Sequence, residues 1–125
     1  MSTEPNLVLF FDNGGPIAFL RAFLAITPEE RTQGLSDYTS LDRNDGMVFV
    51  FEEPRVVKMQ MRDTQIPLDM IFVDPSGTVV DVVSSAQPGS KDLYGPEIAV
   101  IFVIEANAGW TAKNGVVAGV GFGIV

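Results

Sequence analysis

A mainly β, α+β single domain of antiparallel hairpins with two short helices is what the 125 residues predict. Three observations carry that expectation. The apolar, β-prone runs 66–73 and 78–84 flank Asp74-Pro75-Ser76-Gly77, which puts Asp, Pro and Gly at the positions a type I turn favours. A second pair of runs, 7–11 and 17–26, flanks the turn cluster Asp12-Asn13-Gly14-Gly15-Pro16. The strongest helix start, Thr27-Pro28-Glu29-Glu30, meets a glycine stop at Gly34 after about two turns.

Taken in order, residues 7–11 and 17–26 make a first hairpin, and in the second run the even positions, from Ala18 to Ile26, form the more buried face. In the first helix Thr27 is the cap, Pro28 opens the first turn and Glu30 completes a capping box. A helix this short must dock on the sheet, through Leu35. Glu29, Glu30 and Arg31 are read as capping and solvation. Residues 36–45 are a polar loop, 47–51 a central strand ended by Glu52-Glu53-Pro54, and 56–61 a further strand-like run. Pro67 lacks a backbone donor, so it belongs at a strand start or edge, and 62–65 ahead of it is an irregular polar segment. Residues 85–97 form the longest connection. The run 98–104 is apolar throughout and is placed deep in the sheet, covered on both faces. Asn107 then caps a turn or two of helix in which Trp110 packs down and Asn114-Gly115 stops the chain. The glycine-rich tail 116–125 is a poor helix and a weak strand.

Composition removes whole classes of chemistry. Without cysteine or histidine there are no disulfides, thiolate metal sites, thiol nucleophiles or imidazole bases. The formal charge of -8, with only 8 basic residues, argues against nucleic acid and anionic membrane surfaces. No run approaches the roughly 20 apolar residues of a membrane-spanning helix. The start of the chain has neither the basic nor the apolar part of a leader, so a cytoplasmic protein is expected.

Four segments, Thr27-Pro28-Glu29-Glu30-Arg31-Thr32-Gln33-Gly34-Leu35, Gly46-Met47-Val48-Phe49-Val50-Phe51, residues 61–74, and Glu105-Ala106-Asn107-Ala108-Gly109-Trp110 with Gly115, resemble the bacterial and archaeal family known as domain of unknown function 192, over about residues 22–117. The resemblance implies a partly open barrel or sandwich with short helices, in members that are often exported. It implies no activity. In the central motif Gln60, Arg62 and Asp63 stand where the family has an aromatic residue, lysine and asparagine, and Gln87-Pro88-Gly89 lacks a cysteine common there.

The polar residues beside the central strand give a candidate ligand pocket of Met61, Arg62, Asp63, Thr64, Asp69 and Trp110. Asp63 and Asp69 make a carboxylate pair if one is buried and a substrate fits between them, whereas Asp69 and Asp74 fall on opposite faces of a strand. The simpler reading of Asp63, Thr64 and Asp69 is hydrogen bonding to the irregular backbone around Pro67. Met47, Met59, Met61 and Met70 are soft thioethers but more commonly core filler, Trp110 is a core anchor or a sugar-stacking surface, and Arg62 with Asp63 is an ion pair or a small anion site. No catalytic residues, metal ligands or cofactor are assigned, and an enzyme is disfavoured. The leading expectation is a non-catalytic binding or accessory domain for an unknown small ligand or protein partner. Next comes a structural or assembly protein, such as the decorating subunit of a virion or similar particle, forming a homo-oligomer or larger assembly through its apolar ends. Last comes a carboxylate-based hydrolase.

Overall fold

A computed structural model describes residues 4–125; Met1, Ser2 and Thr3, part of the segment read for a leader, lie outside the described residues. Strands β1 (Asn6–Asp12), β2 (Gly15–Ala25), β3 (Asp45–Arg55), β4 (Leu68–Val73), β5 (Val79–Ala86), β6 (Val100–Asn107) and β7 (Gly121–Ile124) share one sheet in the order β5-β4-β6-β3-β2-β1-β7. The sheet curls until its two ends touch. Phe122 N–H donates to Gly77 O at 2.8 Å and Val79 N–H to Val120 O at 2.9 Å, closing a half-barrel at one end. Both predicted hairpins are present, and the Asp74 carboxylate braces the second turn by accepting from Ser76 N–H, Ser76 Oγ and Thr78 N–H.

The two-residue side-chain period along each strand separates two cores. One face gathers Val8, Phe10, Leu20, Val48, Ile71, Ile104, Trp110 and Phe122. There Phe10 sits 5.7 Å from the Trp110 ring and 5.6 Å from that of Phe122, which lies 5.2 Å from Phe102, tilted contacts that add to the area buried. The other face carries Met47, Phe49, Met61, Met70, Phe72 and Val103. It is covered by helix α1 (Pro28–Gln33), Leu35 and the irregular chain that follows β3.

Helix α1 has its full capping box: Thr27 Oγ1 accepts from Glu30 N–H at 3.1 Å and Glu30 Oε1 accepts from Thr27 N–H at 3.0 Å. Thr27→Ala is expected to destabilise the protein by about 1 kcal/mol, lowering the calorimetric midpoint by about 4 °C. Gly46 on β3 passes so close to β6 that a Cβ there would stand 2.5 Å from Glu105 O. That oxygen belongs to the middle of the sheet and cannot yield, so Gly46→Ala is expected to cost about 3 kcal/mol, read as a lower urea midpoint at unchanged slope.

The mainly β, partly open barrel with two short helices is as expected and its sheet is mostly antiparallel, while several details differ. The sheet is mixed, because β2 and β3 pair in parallel from Arg21↔Asp45 to Ala25↔Phe49, joined by a crossover that contains α1. Residues 56–61 do not form a strand: only Met59 bridges, to Tyr94, and the segment crosses over the second core as a lid of irregular chain. β3 does not end at the acidic pair but continues through Pro54, next to a register break that relieves the missing donor. The buried strand 98–104 is shifted: Ile98 is exposed, and β6 runs on through Glu105 to Asn107. Asn107 does not cap helix α2 (Trp110–Asn114). Its amide donates instead to Leu41 O and Asp42 O, and Gly109, in the left-handed region at φ 90°, holds the cap position. The tail supplies a real strand, β7, because β1 offers it a free edge.

Candidate functional site

Strand β6 lies between β3 and β4, so its side chains are enclosed from both sides. On the face shared with Val103, Glu105 stands opposite Met47 of β3 and Met70 of β4, each fully buried. A carboxyl group is thereby set into a thioether-lined row. Above it, α1 with the Gly34-Leu35-Ser36 turn and the crossing segment around Lys58, Met59 and Gln60 leave a cavity of about 230 Å³. Leu35, Phe49 and Met59 are its apolar walls, Thr32, Ser36, Asp63 and Thr64 border it, and Glu105 is the only charged group within the sheet that reaches it.

Glu105 is 4% exposed. No hydrogen bond or ion pair among the described residues reaches its carboxyl group, yet no polar atom there is sealed away unbonded, so its oxygens face the cavity. Burial alone pushes its pKa up to about 8. At neutral pH the group is mostly protonated, able to donate to an acceptor or to ionise against an incoming cation.

The basic groups at the cavity are turned away from it. Arg31 donates through Nη1 to Ile26 O and, at 2.9 Å, to Val50 O, and it pairs through Nη2 with Glu52 at 3.2 Å. Lys58 Nζ binds Gly95 O and pairs with Glu97. A broader groove of about 630 Å³ continues along Arg31, Phe51, Arg55 and Lys58, where the Arg55 guanidinium stacks 4.5 Å from the Phe51 ring centroid.

The sequence-predicted pocket residues are dispersed. Asp63 and Thr64 border the cavity, and Arg62 is exposed with no ion pair to Asp63. Met61 is fully buried in the second core, as are Met47 and Met70, while Met59 is the one thioether at the cavity wall. Trp110 lies in the first core, its Nε1 donating to Asn44 Oδ1 at 3.1 Å.

Asp69 is fully buried and does not share a cavity with Asp63. Its Oδ1 accepts from Ser85 N–H at 2.9 Å and Gly109 N–H at 3.1 Å, and its Oδ2 from Thr111 N–H at 2.9 Å and Thr111 Oγ1 at 2.6 Å. It thus caps α2 from another strand and fixes Ser85, whose φ of 55° is the only left-handed one outside glycine among the described residues. With four donors on two oxygens it has little capacity left for a substrate. Sequence reasoning passed over Glu105, although one signal was present. Continued past Ile104, the alternation of β6 puts Glu105 on the same face as Val103, and a carboxyl at a central-strand position needs a reason.

Comparison with known proteins extends the fold and leaves the chemistry open. The family model described as "Uncharacterized ACR", domain of unknown function 192, matches residues 10–123. A crystal structure from Sinorhizobium meliloti 1021, provisionally named a transcription regulator, is 32% identical, with a TM-score of 0.92 over 99% of this chain and 96% of its own. A protein of unknown function from Novosphingobium aromaticivorans DSM 12444 is 30% identical, with a TM-score of 0.88 over 94% of this chain and 83% of its own. No curated protein matches the chain.

Proposed function

Because the chain belongs to the family of domain of unknown function 192, whose name assigns no chemistry, we propose from its own geometry that it is a non-catalytic binding domain for a small ligand, with the Glu105 cavity as the site. The observation that carries this is Glu105 itself. A carboxyl buried without a partner destabilises the fold, and a cavity facing it gives a ligand the means to relieve that. At about 230 Å³ the cavity has room for about seven waters or a comparably small solute.

The hydrolase reading loses its basis. Asp69 is saturated and shares no cavity with Asp63, so the carboxylate pair that reading required is not assembled. The assembly reading keeps part of its support: Val8, Phe10, Val116, Val120 and Phe122 of the apolar ends are core residues, whereas Leu7, Phe11, Val117, Ile124 and Val125 remain exposed. A transcription-regulating role, the name given to the Sinorhizobium meliloti protein, would call for phosphate-facing basic groups. Here 16 acidic residues outnumber 8 basic ones, and Arg21, Arg31 and Lys58 are ion-paired. No helix among the described residues is long and apolar enough to cross a membrane.

The test is methyl and amide NMR of the protein against a set of small solutes of mixed charge. Saturable shifts centred on the Met47, Met59 and Met70 methyls and the amides of Gly34, Leu35 and Thr64 are expected. Shifts confined to Phe19 and the outer strands, together with a mass above that of a monomer by light scattering, would instead favour an assembly protein.

A further inference from the structure

We propose that the cavity selects a primary ammonium group, anchored on the Glu105 carboxylate at the floor with Asp63 at the mouth, so that the ligand is a small organic amine. The inference rests on the binding reading above and narrows it to one chemical class. Its first support is the disposition of charge around the cavity. Both cations that border it are committed elsewhere, Arg31 to Ile26 O, Val50 O and Glu52, and Lys58 to Gly95 O and Glu97. Both acids that border it, Glu105 and Asp63, have no hydrogen bond or ion pair to the protein among the described residues. An anionic solute would meet two carboxyl groups and no free cation, on a chain of net charge -8.

The walls decide what kind of cation fits. The side chains of Leu35, Phe49 and Met59 offer no oxygen, and among the described residues no three acidic side chains converge as a metal would require. An alkyl chain against those walls, with the Phe49 ring available to a cationic head, suits an organic ion better than a hydrated metal. A primary ammonium carries three N–H donors, enough for the Glu105 carboxylate and the hydroxyl acceptors that Thr32, Ser36 and Thr64 bring to the border.

Binding is then coupled to a proton. Glu105, largely protonated at neutral pH, gives its proton to solvent as the ammonium arrives, and the carboxylate and ammonium pair in its place. The other titratable groups bordering the cavity are Arg31 on α1, Lys58 on the crossing segment and Asp63 ahead of β4; neighbouring positions on β3 and β4 are Met47 and Met70.

Butylammonium, butanol and butyrate, matched in length, test the proposal on the intact protein by NMR titration of the methionine methyls. Butylammonium is expected to bind at least about tenfold more tightly than butanol, with butyrate weakest, and to tighten from pH 6 to pH 8.5. Glu105→Gln should weaken the amine by about tenfold and leave butanol unchanged. Asp63→Asn, at an exposed position, should weaken it several-fold. If butanol or butyrate occupies the cavity as well as the amine does, or if Glu105→Gln binds the amine normally, the amine assignment is overturned while the binding domain stands. If no probe of any class perturbs the cavity, both readings are overturned.

Discussion

Asp69→Ala is expected to destabilise the protein by about 3–5 kcal/mol and lower its thermal midpoint by about 12–20 °C. The substitution removes one small side chain from strand β4, but it strips the acceptor from Ser85 N–H, Gly109 N–H, Thr111 N–H and Thr111 Oγ1 together. Alanine leaves the two Thr111 donors buried and unpaired, each a loss of about 1–3 kcal/mol, and those of Ser85 and Gly109 unpaired at part-buried positions that water satisfies more readily. It also uncaps α2, which at five residues cannot persist unaided. Asp69→Asn keeps one acceptor and turns an amide donor towards the other pair, so an intermediate loss of about 2 kcal/mol is expected. Calorimetry gives the total, and hydrogen exchange localises it: the Ser85, Gly109 and Thr111 amides should exchange faster well before the central strands do. A loss below about 1 kcal/mol for alanine would mean that the loops around Ser85 and α2 hold one another without the carboxylate.

Glu105→Gln is expected to act in the opposite direction, stabilising the protein at alkaline pH. The pKa of Glu105 is raised in the folded state from 4.5 to about 8. Between those values the folded chain binds more protons than the unfolded chain, so this group's contribution to stability falls as pH rises from 4.5 and levels off above 8. Glutamine has the same shape without the titration. The two proteins should therefore be nearly equal in stability at pH 4, with the variant ahead by on the order of 5 kcal/mol at pH 9. Urea unfolding of both across that range measures the difference, in which groups common to the two cancel. Parallel curves would show that the folded carboxyl titrates as an ordinary one. A residue whose replacement strengthens the fold while weakening amine binding is serving a ligand, and Asp69, where stability alone changes, provides the contrast.

What the sequence revealed about the fold depended on whether the determining interactions were local. The Asp74 turn and the Thr27–Glu30 capping box each settle within a few residues, and both appear as expected. Residues 56–61 have the composition of a strand, but pairing needs a neighbouring edge, and β3, β6 and β4 already occupy one another. Asn107 had the chemistry of a cap, but Gly109 takes the position and the acceptor comes from Asp69, which lies far away in sequence and close in space. The parallel β2–β3 pair left one trace: a helix between two strands gives the crossover length that parallel pairing requires. At the candidate site, the polar cluster beside Pro67 drew attention to Asp63 and Thr64, which do border the cavity, and equally to Arg62, Met61 and Trp110, which do not. Glu105 was hidden because a run of apolar residues invites the reader to end the strand at its first charge, whereas β6 continues for three more residues.

The seam between β1 and β7 also sets the timing of folding. Phe10 meets Phe122, and Val8 meets Ile124, only after residues 121–124 have been made. Until residues 121–124 leave the ribosome, β1 presents an unpaired edge and Phe10 lacks one of its two aromatic neighbours. The bond from Phe122 of β7 to Gly77, which helps hold the far end of the sheet, is also missing. Closure of this seam therefore waits for residues 121–124. A chain halted before residue 120 would lack the fastening of the whole half-barrel and present a sticky strand to its neighbours, a natural target for the machinery that removes unfinished proteins.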